Sequence, residues 1–336
     1  MEFLTLINSL KFCIVMVGSS CLTFILIKYA SIINILDIPN ARSSHSHVIP
    51  RSGGIALFCT FLGSLLLFKI DQNYFFLFPL TIVFLLGLYD DIKFVSSQCK
   101  LVFLFIASIF LYLLNFDIQH FGVFLGHEIV LNFWIALLFF GVAVTGFVSA
   151  LNLIDGLDGL ASIVSIAILL PFAYMGFKYH DPFLFYITCS LVCTLLGFLI
   201  FNWHPAKIFM GDSGSLTLGF LIALVIVYAI KQSYITAISA LFLAALPILD
   251  TLIVMLRRIL NKQNPLHADK THMHHLLLVQ QGNNTQKTVL ILGLTQILFS
   301  YLGLGFKLRD DAYIFLLYLI CFIIFYMVLT PKLSAR

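Results

Sequence analysis

The sequence is dominated by long, uninterrupted runs of apolar residues. Many runs extend for about 17 to 25 residues, the length that a helix needs to cross about 30 Å of hydrocarbon. Apolar residues make up 61% of the 336 residues and charged residues only 10%, whereas a typical soluble domain has about 25% charged residues. The strands of a membrane barrel would alternate apolar and polar residues over short segments. The continuous runs therefore predict helices that use lipid as their solvent.

Polar breaks divide these runs into about eleven candidate helices, so we expect an all-α, polytopic membrane helix bundle that forms one domain over residues 1–336. The first run has no clean small-residue cleavage site and is interpreted as a retained helix. The seven cysteines show neither zinc-ligand spacing nor a disulfide framework and are interpreted as small apolar residues. The candidate spans are 8–30, 53–70, 74–89, 100–116, 131–151, 160–178, 183–201, 216–231, 234–256, 288–306 and 312–330.

The basic residues are divided unevenly between the two sides of this topology. With eleven spans and the N-terminus outside, thirteen of the 19 Lys and Arg residues lie in or beside the segments assigned to the cytoplasm. This excess agrees with the positive-inside rule. The formal net charge of +4 is modest, and we interpret it as a sign of membrane orientation rather than of nucleic acid binding.

Seven of the 15 acidic residues and seven of the 10 histidines fall in the same cytoplasmic segments. A transporter would more often place ionisable groups near the middle of the membrane. Clustering at one interface instead favours an active site on the cytoplasmic face, open to a soluble substrate and to lipid headgroups. The residues of this set are Asp37, Asp90, Asp91, Asp155, Asp158, Asp212, Asp269, His45, His47, His204, His267, His272, His274 and His275.

Two acidic motifs stand at the ends of predicted spans. GLYDDIKF ends the third span with Asp90 and Asp91, and such a pair can attract a cation or supply a base; two solvated charges are the alternative. LNLIDGLDGL spaces Asn152, Asp155 and Asp158 three residues apart, which could place them on one helical face. A simple turn is the alternative for its two Asp-Gly pairs.

A third motif, FNWHPAKIFMGDSGS, places Asp212 between glycines just before the eighth span. Carboxylate, amide and hydroxyl oxygens suit a hard cation such as Mg²⁺ better than zinc. Lys207 is a natural phosphate contact, and a role as a membrane-orienting anchor explains this lysine equally well.

The segment PLHADKTHMHH has four histidines within nine residues. This density is typical of zinc sites at first sight, but no cysteine lies near and there is no HExxH motif, so hydrogen bonding to phosphates fits better. Asp250 lies inside the ninth span, where an acid is costly, and we expect it to have a partner that could be structural.

Taken together, the motifs resemble the polyprenyl-phosphate N-acetylhexosamine-1-phosphate transferases, glycosyltransferase family 4. The resemblance covers nearly the whole chain and is carried by PNxRxxHxxxxPxxGG, the DD pair, NxxDGLDGLA, FNxxPAKIFMGDxGS and HxHH, in that order. Each motif is weak alone, whereas five in order on one predicted side are specific. The HxHH ending is more similar to the N-acetylglucosamine branch than to the muramoyl-pentapeptide branch.

The resemblance implies an enzyme of the bacterial inner membrane. A UDP-N-acetylhexosamine would give its sugar-1-phosphate to undecaprenyl phosphate, releasing UMP and starting a cell-envelope polysaccharide such as the O-antigen of lipopolysaccharide. The implied cofactor is Mg²⁺, with Mn²⁺ as an alternative. The implied partners are the two substrates and membrane lipid, without nucleic acid; a homodimer is one arrangement that the sequence leaves open.

The resemblance also assigns roles by motif position. Asp212 would be the principal magnesium ligand, Asp90 the preferred base near the lipid phosphate, and Phe209 a stacking partner for uracil. The implied catalytic residues are Asp90, Asp91, Asp155, Asp158, His272 and His274. The implied substrate contacts are Asn152, Lys207, Phe209, His275, Arg42 and His45, and the implied metal ligands are Asp212 and Asn152.

One position departs from the family pattern. Members commonly have Lys directly after the Arg of the first loop, where this chain has Ser43. A missing positive charge there could weaken a phosphate contact or alter the choice of sugar. Two other functions remain as alternatives: a transporter or flippase of polyprenyl-linked intermediates, and a membrane metalloprotease that uses the histidine segment.

Overall fold

A computed structural model describes residues 5–33, 35–39, 47–69, 74–264, 271–306 and 310–329. Within these residues the chain forms fourteen α-helices, a short 3₁₀-helix (Tyr74–Phe76) and two small antiparallel sheets, so the predicted all-α class is confirmed. The helices are α1 (Leu6–Lys28), α2 (Ala30–Ile33), α3 (Gly53–Phe68), α4 (Leu77–Ile92), α5 (Ser97–Leu113), α6 (Phe133–Ile154), α7 (Leu160–Lys178), α8 (Pro182–Asn202), α9 (Gly211–Lys231), α10 (Ala237–Leu243), α11 (Ala245–Leu260), α12 (Met273–Gln280), α13 (Thr285–Gly305) and α14 (Asp311–Leu329). The strands are β1 (Leu36–Asp37), which pairs with β2 (Ile49–Pro50), and β3 (His120–Phe124), which pairs with β4 (His127–Val130).

The number of membrane spans differs from the expectation. By length and composition, eight helices of the described part could cross a membrane, and the bent pair α10 and α11 would make a ninth. The predicted spans 53–70 and 100–116 correspond to α3 and α5. These helices have 16 and 17 residues and are shorter than the eight candidate spans. A polytopic membrane bundle is therefore confirmed, whereas the count of eleven spans is not.

Helix α9 lies at the centre of the bundle. Nearly all of its side chains are buried, and α3, α4, α6, α7 and α8 pack around it. Helices α1 and α14 are mostly exposed, and their apolar side chains face the surroundings that lipid would fill. The first turn of α9 is consequently held on several sides, which makes it a rigid support for the polar residues beside it.

Two glycines allow α3 and α4 to approach the start of α9 closely. A Cβ atom added to Gly54 would lie 2.2 Å from the backbone nitrogen of Gly214, and one added to Gly87 would lie 2.5 Å from the carbonyl oxygen of Asp212. Such distances are far shorter than any van der Waals contact, so only glycine permits this packing.

A sharp break separates α10 from α11. The two helices meet at 90° around Ala244, and such a break leaves backbone groups without partners inside the helix. The buried side chain of Gln296 supplies those partners: its Oε1 accepts from the Leu246 N–H at 2.9 Å, and its Nε2 donates to the Leu243 carbonyl at 2.8 Å. Tertiary contacts with α13 therefore stabilise a bend that local sequence alone would not specify.

At one end of the bundle, acidic side chains hold loops and helix starts together. Asp181 is buried and accepts hydrogen bonds from the Leu184 backbone N–H at 2.9 Å, from the Tyr228 hydroxyl at 2.9 Å and from the Tyr234 hydroxyl at 3.0 Å. Near this end, Asp311 accepts from the backbone of the β3–β4 hairpin. We call this end the opposite face, because the motif residues gather at the other one.

Candidate functional site

Seven helix ends meet at the other end of the bundle, which we call the site face. They are the N-terminal ends of α3, α5, α7 and α9 and the C-terminal ends of α4, α6 and α8. The positive N-terminal ends of helices attract anions, since their first backbone N–H groups have no partner within the helix. Four such ends at one face make a suitable environment for phosphate groups.

Lys100 joins two of the predicted acids. Its Nζ lies 3.0 Å from an Asp90 carboxylate oxygen and 2.7 Å from Oδ2 of Asp212. Arg51 approaches the other Asp212 oxygen at 3.4 Å. Asp90 on α4, Lys100 on α5 and Asp212 on α9 thus form one cluster with Arg51, which precedes α3. The cluster lies at the position where the sequence predicts phosphate and metal chemistry.

Asp91 has a different environment from its neighbour Asp90. Its side chain is fully buried, and its two oxygens accept the backbone N–H groups of Asp212 at 2.8 Å and Ser213 at 2.9 Å. A carboxylate at this position satisfies the unpaired donors of α9 and interacts favourably with the helix dipole. Asp91 therefore holds the α9 terminus, and with it the backbone that presents the Asp212 side chain.

Asn152 is linked to the same helix start through a hydroxyl. Its Nδ2 donates to Ser215 Oγ at 2.8 Å, and Ser215 Oγ donates to the Gly211 carbonyl at 3.0 Å. This arrangement commits the amide nitrogen to Ser215, so Oδ1 is the atom of Asn152 that can act as a ligand or acceptor.

Asp155 follows α6 and remains partly accessible at the site face. Desolvation by the surrounding protein raises the pKa of its carboxyl well above the ordinary value, and the negative charge of Asp212 adds to the rise. A raised pKa favours the protonated carboxyl, which can donate a hydrogen bond, over the carboxylate, which can only accept one.

Asp158 organises the loop between α8 and α9. One of its oxygens lies 2.7 Å from His204 Nδ1 and 3.1 Å from the Ala206 backbone nitrogen. Buried Asn202 holds the same loop by donating to the Ile208 carbonyl at 2.9 Å. The two turns that carry the second and third acidic motifs are therefore joined by direct hydrogen bonds.

Lys207 and Phe209 lie on this loop. The Lys207 side chain is exposed, and the Phe209 backbone is tied to the segment before α3: its N–H donates to the Pro50 carbonyl at 2.8 Å, and its carbonyl accepts from the Gly53 N–H at 3.1 Å. The loop is thus fixed at its α9 end, while Lys207 extends into solvent where a soluble substrate would arrive.

The histidine segment reaches the site through the start of α12. His274 is buried, and within the described part of the chain neither ring nitrogen has a hydrogen-bond partner. Its Nε2 lies against Gly156, where an added Cβ would be 2.3 Å away. Burial lowers the pKa of His274 to about 3, so the ring is neutral at pH 7 and can donate from one nitrogen only. The His275 ring lies beside it, with centroids 4.2 Å apart.

His272 contacts the acid that the sequence placed inside the ninth span. His272 Nδ1 lies 2.9 Å from Asp250 Oδ2, and both side chains are buried. The partner expected for Asp250 is therefore His272.

Four residues of the predicted set lie outside the described residues. They are Arg42, His45, His267 and Asp269. Their predicted roles stay predictions.

The sequence analysis missed Lys100 as a site residue and counted it only as a positive charge. Its signal was present: Lys100 is a cation in the first turn of an apolar helix, on the side where the acids gather. A charge in such a position is costly unless it is paired. The motifs also gave no role to Arg51, just before α3, or to Ser215 in α9.

The metal expectation can be compared with the donor chemistry. Among the described residues, no three His, Cys, Asp or Glu side chains come close enough to enclose a metal ion. Mg²⁺ rarely has such a cage, because it keeps several waters and binds through one or two carboxylates and substrate phosphates. The Asp212 carboxylate and Asn152 Oδ1 are hard oxygen donors of the required type. They fit Mg²⁺ better than Zn²⁺, which prefers nitrogen and sulfur.

The chain is similar to known proteins over most of its length. The model of the family described as glycosyl transferase family 4 matches residues 74–230. The chain is 30% identical over 310 residues to a probable undecaprenyl-phosphate N-acetylglucosaminyl 1-phosphate transferase of Bacillus subtilis, covering 90% of this chain and 84% of the relative. It is 33% identical over 308 residues to the undecaprenyl-phosphate alpha-N-acetylglucosaminyl 1-phosphate transferase of Thermotoga maritima, covering 91% and 92%.

A relative from the other branch matches a shorter part. The phospho-N-acetylmuramoyl-pentapeptide-transferase of Sulfurimonas denitrificans is 31% identical over 239 residues, which cover 62% of this chain and 66% of that protein. The resemblance to the N-acetylglucosamine branch is therefore confirmed, since it extends over about nine-tenths of the chain. Together with the helical membrane fold and the acidic cluster at its site face, this similarity identifies the chain as an enzyme that belongs to glycosyl transferase family 4.

Proposed function

We propose that this enzyme transfers N-acetylhexosamine-1-phosphate from a UDP-sugar to undecaprenyl phosphate. The products are UMP and an undecaprenyl-pyrophosphate sugar. The observation that carries the proposal is the cluster of Asp90, Lys100 and Asp212 at the start of α9, with Nζ of the lysine 3.0 and 2.7 Å from the two carboxylates. Relatives that cover most of the chain are named for this type of transfer to undecaprenyl phosphate.

The reaction joins two anionic groups that repel each other. An oxygen of the acceptor phosphate forms a bond to the phosphorus that carries the sugar, and the bond from that phosphorus to the bridging oxygen breaks as UMP leaves. Lys100 and Arg51 are proposed to balance the charge of the transferring group. Holding both substrates in place supplies much of the remaining acceleration.

Asp90 is the proposed base for the acceptor phosphate. It lies at the end of α4, and its Oδ1 accepts the Val95 backbone N–H at 2.7 Å while its Oδ2 contacts Lys100. These contacts fix the orientation of the Asp90 carboxylate within the cluster. A base must lie within hydrogen-bonding reach of the proton that it removes.

The other site residues suit the nucleotide and the sugar phosphate. Phe209 is proposed to stack on uracil, and exposed Lys207 to meet the incoming nucleotide. Neutral His274 can donate one hydrogen bond to an anionic oxygen. Asp155, partly accessible at the site face, is proposed to serve the nucleotide and pyrophosphate region. Asp158 would act through the loop that it holds.

We further propose Mg²⁺ as the cofactor, held by Asp212 and by Oδ1 of Asn152, with Mn²⁺ as an alternative. When bound, the ion would screen the repulsion between donor and acceptor phosphates and stabilise charge on the transferring group. Asp212 contacts Lys100 and Arg51 in this structure, so metal binding would exchange part of these contacts for coordination.

The proposed location is the bacterial inner membrane, with the site face toward the cytoplasm. The excess of Lys and Arg in the loops of that face supports this orientation. If α3, α5 and the bent pair all span the bilayer, the number of spans is eleven and the termini lie on opposite sides. The lipid product would then start a cell-envelope polysaccharide such as an O-antigen.

Replacing Lys100 tests the cluster directly. We expect Lys100→Met to lower kcat for UMP release about 100-fold, because the change removes a charged donor and leaves Asp90 and Asp212 without the cation between them. Initial rates should be measured on protein shown by size-exclusion chromatography to be folded. Lys231→Met is the matched control, since Lys231 pairs with Asp117 at 2.6 Å on the opposite face. Equal rates in the two variants would contradict the role of Lys100.

The function itself is tested by product formation. Purified protein should release UMP only when UDP-N-acetylglucosamine or another UDP-N-acetylhexosamine, undecaprenyl phosphate and Mg²⁺ are all present. Absence of UMP with every UDP-sugar, from folded protein, would overturn the proposal. Movement of a polyprenyl-linked sugar across vesicles without UMP would instead support a flippase.

A further inference from the structure

Asp250 uses both of its carboxylate oxygens on the start of α12. Oδ2 lies 2.9 Å from His272 Nδ1, and Oδ1 accepts the Met273 backbone N–H at 2.6 Å. Asp250 and His272 are only 2% and 5% exposed. Asp250 belongs to α11, so this contact connects α11 to His272 and the start of α12, which lie more than twenty residues after Asp250 in the sequence.

The contact determines which nitrogen of His272 carries hydrogen. An ionised carboxylate can only accept a hydrogen bond, so Nδ1 of His272 carries the hydrogen in both the neutral and the charged ring. Nε2 is therefore the atom that remains for a ligand. A hydrogen bond to one ring nitrogen commonly sets the function of the other in this way.

The orientation of His272 also affects the neighbouring ring. The His272 and His274 rings are stacked at 18°, with centroids 5.8 Å apart, and His274 packs against Gly156 in the turn that follows Asn152 and Asp155. A series of contacts therefore runs from Asp250 through His272 and His274 to the turn that contains Gly156. None of the proposed substrate contacts includes Asp250 itself.

We propose that Asp250 is a positioning residue that holds His272 with hydrogen on Nδ1 and so directs Nε2 toward an anionic oxygen of the sugar-phosphate donor. This inference rests on the proposed function for the identity of the ligand. It assigns Asp250 a role through His272 rather than a direct contact with substrate.

Two substitutions separate the roles of Asp250. Asp250→Asn keeps an oxygen for the Met273 N–H, so the melting temperature should change little, but it loses the charge and the strict preference for hydrogen on Nδ1 of His272. We expect kcat for UMP release to fall about tenfold, near the lower end of the effect of other groups that orient a functional histidine. Asp250→Ala also loses the Met273 contact and should lower both kcat, about 100-fold, and the melting temperature.

The decisive measurement is the same pair of substitutions in a His272→Ala background. If Asp250 acts through His272, kcat should not fall further on Asp250→Asn, because the group that it positions is gone. Asp181→Asn is the matched control: Asp181 is buried, caps a helix N–H with one oxygen and accepts side-chain donors with the other, on the opposite face. Its kcat per folded molecule should stay within about twofold of the parent enzyme.

A second measurement does not depend on turnover. ¹⁵N NMR of histidine-labelled protein, with His272→Ala used for assignment, should show hydrogen on Nδ1 of His272 in the parent protein and a change in Asp250→Asn. A parent-like kcat in Asp250→Asn, an equal kcat loss with and without His272, or an Nδ1 without hydrogen would each overturn the proposal. If the parent protein released no UMP, the proposed function would fail, and the NMR result would still decide whether Asp250 orients His272.

Discussion

Asp212→Asn should lower kcat for UMP release about 10³-fold while the protein still folds and inserts. The Asp212 carboxylate is the point where Lys100 and Arg51 meet, at 2.7 and 3.4 Å, and it is the principal ligand proposed for Mg²⁺. An amide has nearly the same shape as a carboxylate, so the substitution removes the negative charge and changes little else. Removing one group aimed at developing charge commonly costs about 10² to 10³ in rate, and loss of the metal adds to that cost.

The fold should tolerate this substitution because Asp91 contacts the backbone at this position and not the side chain. The Asp212 N–H would still donate to Asp91 at the start of α9. The measurement compares UMP release and its dependence on Mg²⁺ concentration with the melting temperature of the same preparation. Asp117→Asn is the matched control, since Asp117 also pairs with a lysine but lies on the opposite face. Near-normal turnover of Asp212→Asn would rule out the proposed metal assignment.

Gly54→Ala should damage both stability and activity. The new Cβ would lie 2.2 Å from the Gly214 backbone nitrogen and 2.3 Å from Ser213 Oγ, so α3 and the first turn of α9 must move apart. Overpacking of this kind costs about 1 to 3 kcal/mol in free energy of unfolding, and contact with backbone places it at the upper end. A displacement of about 1 Å at a catalytic cluster can lower the rate about 100-fold, and we expect a kcat loss of that order in the molecules that remain folded.

Gly63→Ala provides a control within the same helix. A Cβ added to Gly63 meets no atom within 4 Å, so no displacement is required. Because Ala is the better helix former by about 1 kcal/mol, the melting temperature should stay the same or rise, and kcat should not change. Equal behaviour of the two alanine variants would show that α3 does not need its close approach to α9.

The sequence predicted the membrane helices well, but it predicted the residues at which they begin and end less well. The long apolar runs became α1, α6, α8, α9 and others of the described helices, because hydropathy acts segment by segment. Helix α3 ends two residues earlier than predicted, where Lys69 adopts a left-handed conformation. Helix α5 begins and ends three residues earlier than predicted, because it starts directly after the cap residue Ser96. The break at Ala244 was also missed, because its stabilising partner Gln296 lies on another helix.

Many residues that the motifs singled out lie together at the site face, but the contacts of neighbouring acids depend on packing. Asp90 and Asp91 are adjacent in sequence, yet one contacts Lys100 and the other holds the start of α9. Asp158 contacts His204 and the loop around it, which the spacing of its motif did not indicate. The contacts of each acid therefore depend on helix packing, which the motifs do not specify.

Composition and motif order by themselves determined that this chain is a helical membrane protein and which residues gather at its polar face. Both properties follow from short stretches of chain: an apolar run must leave water, and a charged residue is excluded from lipid unless it lies at a helix end. Only the tertiary structure decided that Lys100 stands between Asp90 and Asp212, that Asp250 holds His272 and that His274 is buried against Gly156. The physical reason is that hydrogen bonds and ion pairs act over about 3 Å, and these partners are brought to that distance by helices packed from separate parts of the sequence.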